Sequence, residues 1–205
     1  SIQILLIVAC TLVMISHQYF DSSWQDFEQV VFQAVSISTT TGYTTSNFAE
    51  WPSFVPMLLI IASFIGGCAG SVGGGLRVAR ILVLYLQGAR ELKRFVHPNL
   101  VYPIKWGKNV LDERVIGSIW AFFSAYLLVF TICLLSVIAC GVEPFDAFNA
   151  VLASINNLGP GLGSVSSNMT AMPDSAKWVL TIAMVCGRLE IFTLLALFTP
   201  AFWKA

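Results

Sequence analysis

Long apolar runs alternate along this chain with short amphipathic ones, and the two kinds of segment predict different elements. Within Trp24 to Tyr43, Phe27, Val30, Val31, Ala34, Val35 and Ile37 recur at roughly helical spacing, which predicts a short helix with one apolar face. Such a helix cannot cross a bilayer, because a crossing takes about 20 apolar residues. Ser1 to Ile15 before it is expected to be a first membrane segment, short for a full span, and Phe54 to Ile65 after it is about half a span. Leu76 to Leu86 resumes a helical pattern, with Arg77 and Arg80 expected to face water. Val115 to Cys140 is a full crossing without a charged residue, and Trp178 to Pro200 is the last crossing. Between them, Pro144 to Ser154 repeats the short design, with Phe145, Phe148, Val151, Leu152 and Ile155 on one side. Pro144 stands at its start, where a missing N–H costs nothing.

Composition turns these segments into a membrane protein. Hydrophobic residues make up 57% of the chain and charged residues 11%, with a mean hydropathy of +0.78; soluble domains carry about 25% charged residues. Net charge is zero, but eight of the eleven Lys and Arg residues lie between Leu76 and Arg114. The positive-inside rule makes residues 91–114 a basic cytoplasmic loop. Acidic Asp21, Asp26, Glu28, Glu50, Glu143 and Asp146 belong to the opposite, outer face. The five cysteines form no CxxC pair, which argues against a disulfide framework and a metal site. No Ser/His, paired-Asp or His/Glu constellation falls within a span, so an intramembrane enzyme is not expected.

The candidate chemistry sits where the short helices stop. The first runs into Thr39-Thr40-Thr41-Gly42-Tyr43 and the second into Asn156-Asn157-Leu158-Gly159-Pro160-Gly161. A helix C-terminus carries partial negative charge, and backbone beyond it can offer carbonyl oxygens in place of a cation's hydration shell, as TVGYG loops do in potassium channels. Thr39, Thr40, Thr41, Gly42, Tyr43, Asn156, Asn157, Leu158 and Gly159 are therefore expected to form a selectivity filter for potassium. Leu158 stands where the first turn has Thr41, which fits a lining of backbone oxygens.

Two further features suggest a constriction. The run Gly66 to Gly75 contains six glycines (Gly66, Gly67, Gly70, Gly73, Gly74 and Gly75). Three in succession make continuous helix costly, at roughly 1 kcal/mol each, which favours a crossing broken at membrane depth over a glycine-rich packing face. The run lacks the Gly-Lys-Ser/Thr ending of a phosphate loop and the spaced glycines of a dinucleotide site. Arg188 lies ten residues into the last apolar stretch, where a charge costs several kcal/mol unless it faces protein or water. It is expected beside the glycine run on the ion path, opposing cation passage and pinning the loop through its carbonyls. A structural pairing on another helix is the rival role, and Glu190, two residues on, points away from it.

The halves correspond. Gly42 and Gly159 lie 117 positions apart, and the same offset sets Gly187 over Gly70. The predicted fold is an all-α integral membrane protein of two parallel helix–pore-helix–helix repeats, residues 1–90 and 115–205, with the second helix of each broken in mid-membrane. At Ser38-Thr39-Thr40-Thr41-Gly42-Tyr43, Gly66-Gly67-Cys68-Ala69-Gly70-Ser71, Asn156-Asn157-Leu158-Gly159-Pro160-Gly161 and Gly187-Arg188-Leu189-Glu190, the chain resembles the Trk/Ktr/HKT superfamily of potassium transporters. Within it the TrkH/TrkG branch of bacteria is nearest. The resemblance implies four such repeats, of which this chain looks like the third and fourth, the C-terminal half. It also implies an intramembrane gating loop at Gly66 to Gly75 and a matching arginine at Arg188. It further implies potassium uptake across the bacterial inner membrane by a lipid-embedded homodimer. A cytosolic nucleotide-binding ring (TrkA-like) is the implied regulator, with neither cofactor nor nucleic acid bound by this chain. An alternating-access transporter coupled to protons or sodium is the alternative, for which Glu190 is the one buried-carboxylate candidate.

Overall fold

The computed structural model describes residues 24–52, 54–66, 74–97, 103–106, 109–166, 168–189 and 203. The expected first segment, Gly67, Gly70, Gly73, Glu190 and the rest of the final crossing lie outside them. Six α-helices occur among the described residues: α1 (Trp24–Ser38), α2 (Phe54–Ile65), α3 (Val78–Val96), α4 (Glu113–Ala139), α5 (Pro144–Ile155) and α6 (Asp174–Arg188). A two-residue antiparallel ladder pairs β1 (Lys105–Trp106) with β2 (Asn109–Val110).

Helix α4 is the one described helix long and apolar enough to cross a membrane. Asp112 starts it by accepting a hydrogen bond from the Arg114 N–H, which satisfies one of the four donors left open at any helix start. The short helices α1 and α5 run 15 and 12 residues, as their apolar spacing predicts. Helix α2 stops at Ile65 and the next described helix begins at Val78, on the other side of the glycine run. Helix α6 passes through Gly187 without a break and ends at Arg188.

Two expectations are corrected. The basic stretch from residue 91 is not loop at its start, since α3 continues to Val96. Gln87 donates to Glu91 four positions on at 2.7 Å, and Glu91 pairs with Arg94; such spacings support an exposed helix, and no proline intervenes before Pro98. Arg80 does not simply face water: its guanidinium lies 4.0 Å from the centre of the Phe122 ring, a cation–π arrangement that ties α3 to α4.

Helices α4, α5 and α6 pack on one another, α1 packs on α2, and α3 on α4. Small residues make the first of these contacts close: Ala147, Ala150 and Ala153 on α5 and Ala176 and Ala183 on α6 are all buried. In lipid, close backbone approach is a main source of helix association. At Gly187 a Cβ would overlap the Ile155 carbonyl oxygen and sit 2.9 Å from Asn157 Nδ2. From Asn149 to Ile155 every residue of α5 is buried, the mark of a helix surrounded by protein. A second cluster joins Val30, Ala34 and Ile37 of α1 to Leu59 of α2 and to Leu152 and Leu158. At the basic end, Arg90 of α3 donates two bonds to the Glu113 carboxylate, that from Nη2 at 3.1 Å.

These contacts set opposite signs for two glycines. Gly187→Ala should force α5 and α6 apart and lower stability by about 1–3 kcal/mol, the usual cost of overpacking. Gly88→Ala, where nothing lies within 4 Å of the added carbon on α3, should raise stability by roughly 0.5–1 kcal/mol. Thermal unfolding in detergent checks both; a lower midpoint for Gly88→Ala and a higher one for Gly187→Ala would contradict the packing described.

Candidate functional site

The site is built from two helix ends that close in the same way. Helix α1 stops where Thr40 turns left-handed (φ 56°), and α5 where Asn157 does (φ 51°). The Thr41 N–H reaches back to the Ser36 carbonyl at 2.9 Å and the Thr40 N–H to that of Ile37 at 3.1 Å. After α5, the Leu158 N–H bonds the Ala153 carbonyl at 2.8 Å and the Asn157 N–H that of Ser154 at 3.0 Å. This is the Schellman closure, in which a left-handed residue lets two amides satisfy carbonyls the helix leaves open. Each bond in the first turn has its counterpart 117 positions later, and so do Gly42 (φ 84°) and Gly159 (φ 94°). Asparagine tolerates the left-handed region; threonine, branched at Cβ, does not readily, and the conformation costs roughly 1–2 kcal/mol. Thr40 is held in it by a long-range partner, since the Gly74 N–H donates to its Oγ1 at 3.2 Å.

The two turns touch. A Cβ on Gly42 would overlap the Leu158 carbonyl oxygen and lie 3.6 Å from Pro160 Cδ. The glycine run meets both. A Cβ on Gly74 would overlap the Asn156 carbonyl oxygen, while its N–H engages Thr40 as above. The run leaves α2 and returns beside its own departure point: a Cβ on Gly66 would sit 2.6 Å from the Gly74 carbonyl oxygen, and the Leu76 N–H bonds the Phe64 carbonyl at 3.0 Å. Thr40, Gly42, Gly74, Asn156 and Leu158 thus form one cluster of backbone. Gly75 packs against the Ser63 and Phe64 carbonyls at the end of α2. Arg188, which is exposed, closes α6 next to the Gly187 contact with Ile155 and Asn157.

Side chains brace the two turns differently. In the first, short-range hydroxyl bonds dominate: Thr39 Oγ1 donates to the Val35 carbonyl at 2.7 Å and lies 2.8 Å from Thr41 Oγ1. Ser36 Oγ donates to the Tyr43 carbonyl at 2.7 Å, and Gln33 Nε2 to that of Ser46 at 2.9 Å. Tyr43 itself is exposed. In the second turn the bonds are long-range. Asn156 accepts from the Tyr126 hydroxyl at 2.8 Å and donates to Ser63 Oγ at 3.2 Å. Asn157 Nδ2 donates to the Met184 carbonyl of α6 at 3.2 Å. Sequence reading missed Tyr126, Ser63 and Gln33; the signal that could have found them is a hydrogen-bonding side chain inside an otherwise apolar face. No group of three or more His, Cys, Asp or Glu residues able to hold a metal ion occurs among the described residues. The oxygens at these turns are carbonyl, hydroxyl and amide, the donor set that suits a weakly held alkali cation.

The family model described as "TrkH: Cation transport protein" matches residues 4–205. The chain is 56% identical over 204 residues to the Trk system potassium uptake protein TrkH of Vibrio parahaemolyticus, covering all of this chain and 42% of that protein. It is 55% identical to TrkH of Escherichia coli K12 over the same shares, and 34% identical to the potassium uptake protein TrkG of that strain across 98% of this chain. The crystal structure of the potassium transporter TrkH from Vibrio parahaemolyticus superposes with a TM-score of 0.91 at 57% identity, over 98% of this chain and 43% of that one. The chain thus spans less than half the length of the relatives it matches. These matches fix how much of each relative is covered and not which part, so the expectation that the chain is the third and fourth of four repeats is withdrawn. A match along nearly the whole chain and over half of all positions identical make it a membrane protein that belongs to the TrkH family of cation transport proteins.

Proposed function

We propose that this chain is part of a Trk-type potassium uptake transporter of the bacterial inner membrane, in which Thr39 to Tyr43 and Asn156 to Gly159 line a shared, channel-like ion path. The observation that carries the reading is the pair of matching left-handed helix ends that meet at Gly42 and Leu158. Two ends of this kind direct backbone oxygens and the negative ends of two helix dipoles toward one place, which favours a bare cation. Two strands do not close a ring, so the remaining length of the protein would supply the other half of the cage.

In the same reading the run from Gly66 to Gly75 is the gate. Within it Gly74 sits between the Thr40 hydroxyl and the Asn156 carbonyl, so a shift of the run is felt by both turns. Arg188 lies at the end of the helix that bears on the second turn, and its charge would oppose cation passage and hold the run by hydrogen bonds to its carbonyls. Residues 1–90 and 115–205 would be the two repeats, with 91–114 as the basic segment facing the cytoplasm. Function as a homodimer with a cytosolic, nucleotide-binding TrkA-like subunit follows from the resemblance; the basic segment fits such a docking surface by charge.

Rubidium uptake by the complete protein in vesicles, with and without that partner, tests the reading. Gly42→Ser adds a Cβ where the Leu158 carbonyl already lies, so it should lower potassium-over-sodium discrimination by about tenfold, equivalent to about 1.4 kcal/mol. An unchanged ratio would count against the filter assignment. Arg188→Ala should raise the flux several-fold at the same protein abundance, and a lower or unaltered flux would refute the barrier role.

A further inference from the structure

We propose that Tyr126, Asn156 and Ser63 form a buried hydrogen-bond chain that sets the second turn, making Tyr126 and Ser63 positioning residues for ion selectivity. The inference rests on the filter reading above and adds two residues that touch no ion. It starts from an oddity of burial: Tyr126 is 3% exposed, and Asn156 and Ser63 are both 0% exposed, on three separate elements. Buried polar groups are costly unless each finds a partner, and these find one another.

The direction of every bond is fixed along the chain. Ser63 Oγ donates to the Ile60 carbonyl at 2.7 Å, leaving a lone pair for Asn156 Nδ2 at 3.2 Å. The amide oxygen of Asn156 is then free to accept from the Tyr126 hydroxyl at 2.8 Å. A flipped amide would face its nitrogen to a hydroxyl and its oxygen to an oxygen whose proton is already committed. The amide plane of Asn156 therefore has one favourable orientation, held by α4 on one side and α2 on the other. The Tyr126 ring cannot swing away freely. Phe64 meets it edge-on at 6.5 Å, and Phe122 lies 6.5 Å away one helical turn earlier, under the Arg80 guanidinium.

What this orientation controls is backbone. Asn156 is the last right-handed residue before Asn157 reverses. Its carbonyl bears on Gly74, and two residues later the Leu158 carbonyl bears on Gly42. Rotating Asn156 moves both carbonyls together, one against the glycine run and one against the first turn. Thr39, its counterpart in the first turn, lacks such an anchor among the described residues: its hydroxyl engages Val35, Ser36 and Thr41. At this position the second turn is anchored from α2 and α4, and the first by its own helix end. Groups that orient coordinating groups without touching the ion commonly govern affinity as strongly as the ligands do.

The test uses the complete protein in proteoliposomes, with the potassium-over-sodium ratio read from rubidium uptake against rising sodium. Tyr126→Phe removes one oxygen and keeps the ring contacts; Ser63→Ala removes the other end of the chain. Each should lower the ratio about fivefold, the weight of one net hydrogen bond, while retaining flux. Ser124→Ala serves as control, since Ser124 lies on the same helix and its hydroxyl donates to the Trp120 carbonyl within that helix; its ratio should stay at the parent value. If Tyr126→Phe fails to accumulate, Ser63→Ala carries the test. Parent ratios in both variants, with Gly42→Ser altered, would overturn the positioning chain and leave the filter standing. Parent ratios in all three would overturn both. Reduced abundance with a parent ratio in the protein that remains would make the chain structural only, and would also overturn the proposal.

Discussion

Backbone meeting backbone is the constraint on which this structure depends. At Gly42 against Leu158, at Gly74 against Asn156 and at Gly187 against Ile155, a carbonyl oxygen occupies the volume a Cβ would need. Each contact involves the last residue of α5 or the turn that follows it, so the end of that short helix is surrounded on three sides by glycine. Dispersion and dipole interactions at such range need no side chain, and lipid offers no competing hydrogen bonds. The same property makes the arrangement suited to a cation: carbonyls that neighbour glycine are approachable by an ion as well as by another chain.

A helix halted inside the protein leaves polar groups without partners, and the two short helices solve this with one backbone device and two side-chain solutions. The Schellman closure recurs bond for bond at an offset of 117 residues, while the residues that stabilise it differ. The Thr39 hydroxyl after α1 bonds its own helix and that of Thr40 accepts from Gly74, whereas asparagine amides after α5 reach to α2, α4 and α6. A repeat of geometry without a repeat of side chains means the conserved quantity between the halves is the position of the carbonyls. The burial of α5 on all sides from Asn149 to Ile155, against the partly open face of α1, fits the longer reach of its anchors.

Much of this was legible in the sequence because it was written in periodicity and glycine. The half-length of α1 and α5, the stop at Ile65 and the pairing of Gly42 with Gly159 follow from apolar spacing and a single offset. The extent of α3 was not, because charge density was read as loop although Gln87, Glu91 and Arg94 are spaced as helical neighbours. The stacking of Arg80 on Phe122 joins positions 42 residues apart, and the bond from Asn156 to Ser63 spans 93; no local pattern encodes either. Ser63 and Tyr126 look ordinary within their apolar runs, and only the fold shows that they share a partner. The carbonyl contacts of Gly74 and Gly187 were invisible for the same reason, though the glycines themselves stood out.

The central claim is that the two reversals after α1 and α5 jointly hold an alkali cation. Diffraction at the rubidium absorption edge from crystals of the complete protein, grown with rubidium in place of potassium, tests it most directly. An anomalous peak should lie between the carbonyl oxygens of Thr39 to Tyr43 and those of Asn156 to Gly159, and should vanish in Gly42→Ser. A rubidium peak coordinated elsewhere, with none between these turns, would contradict it.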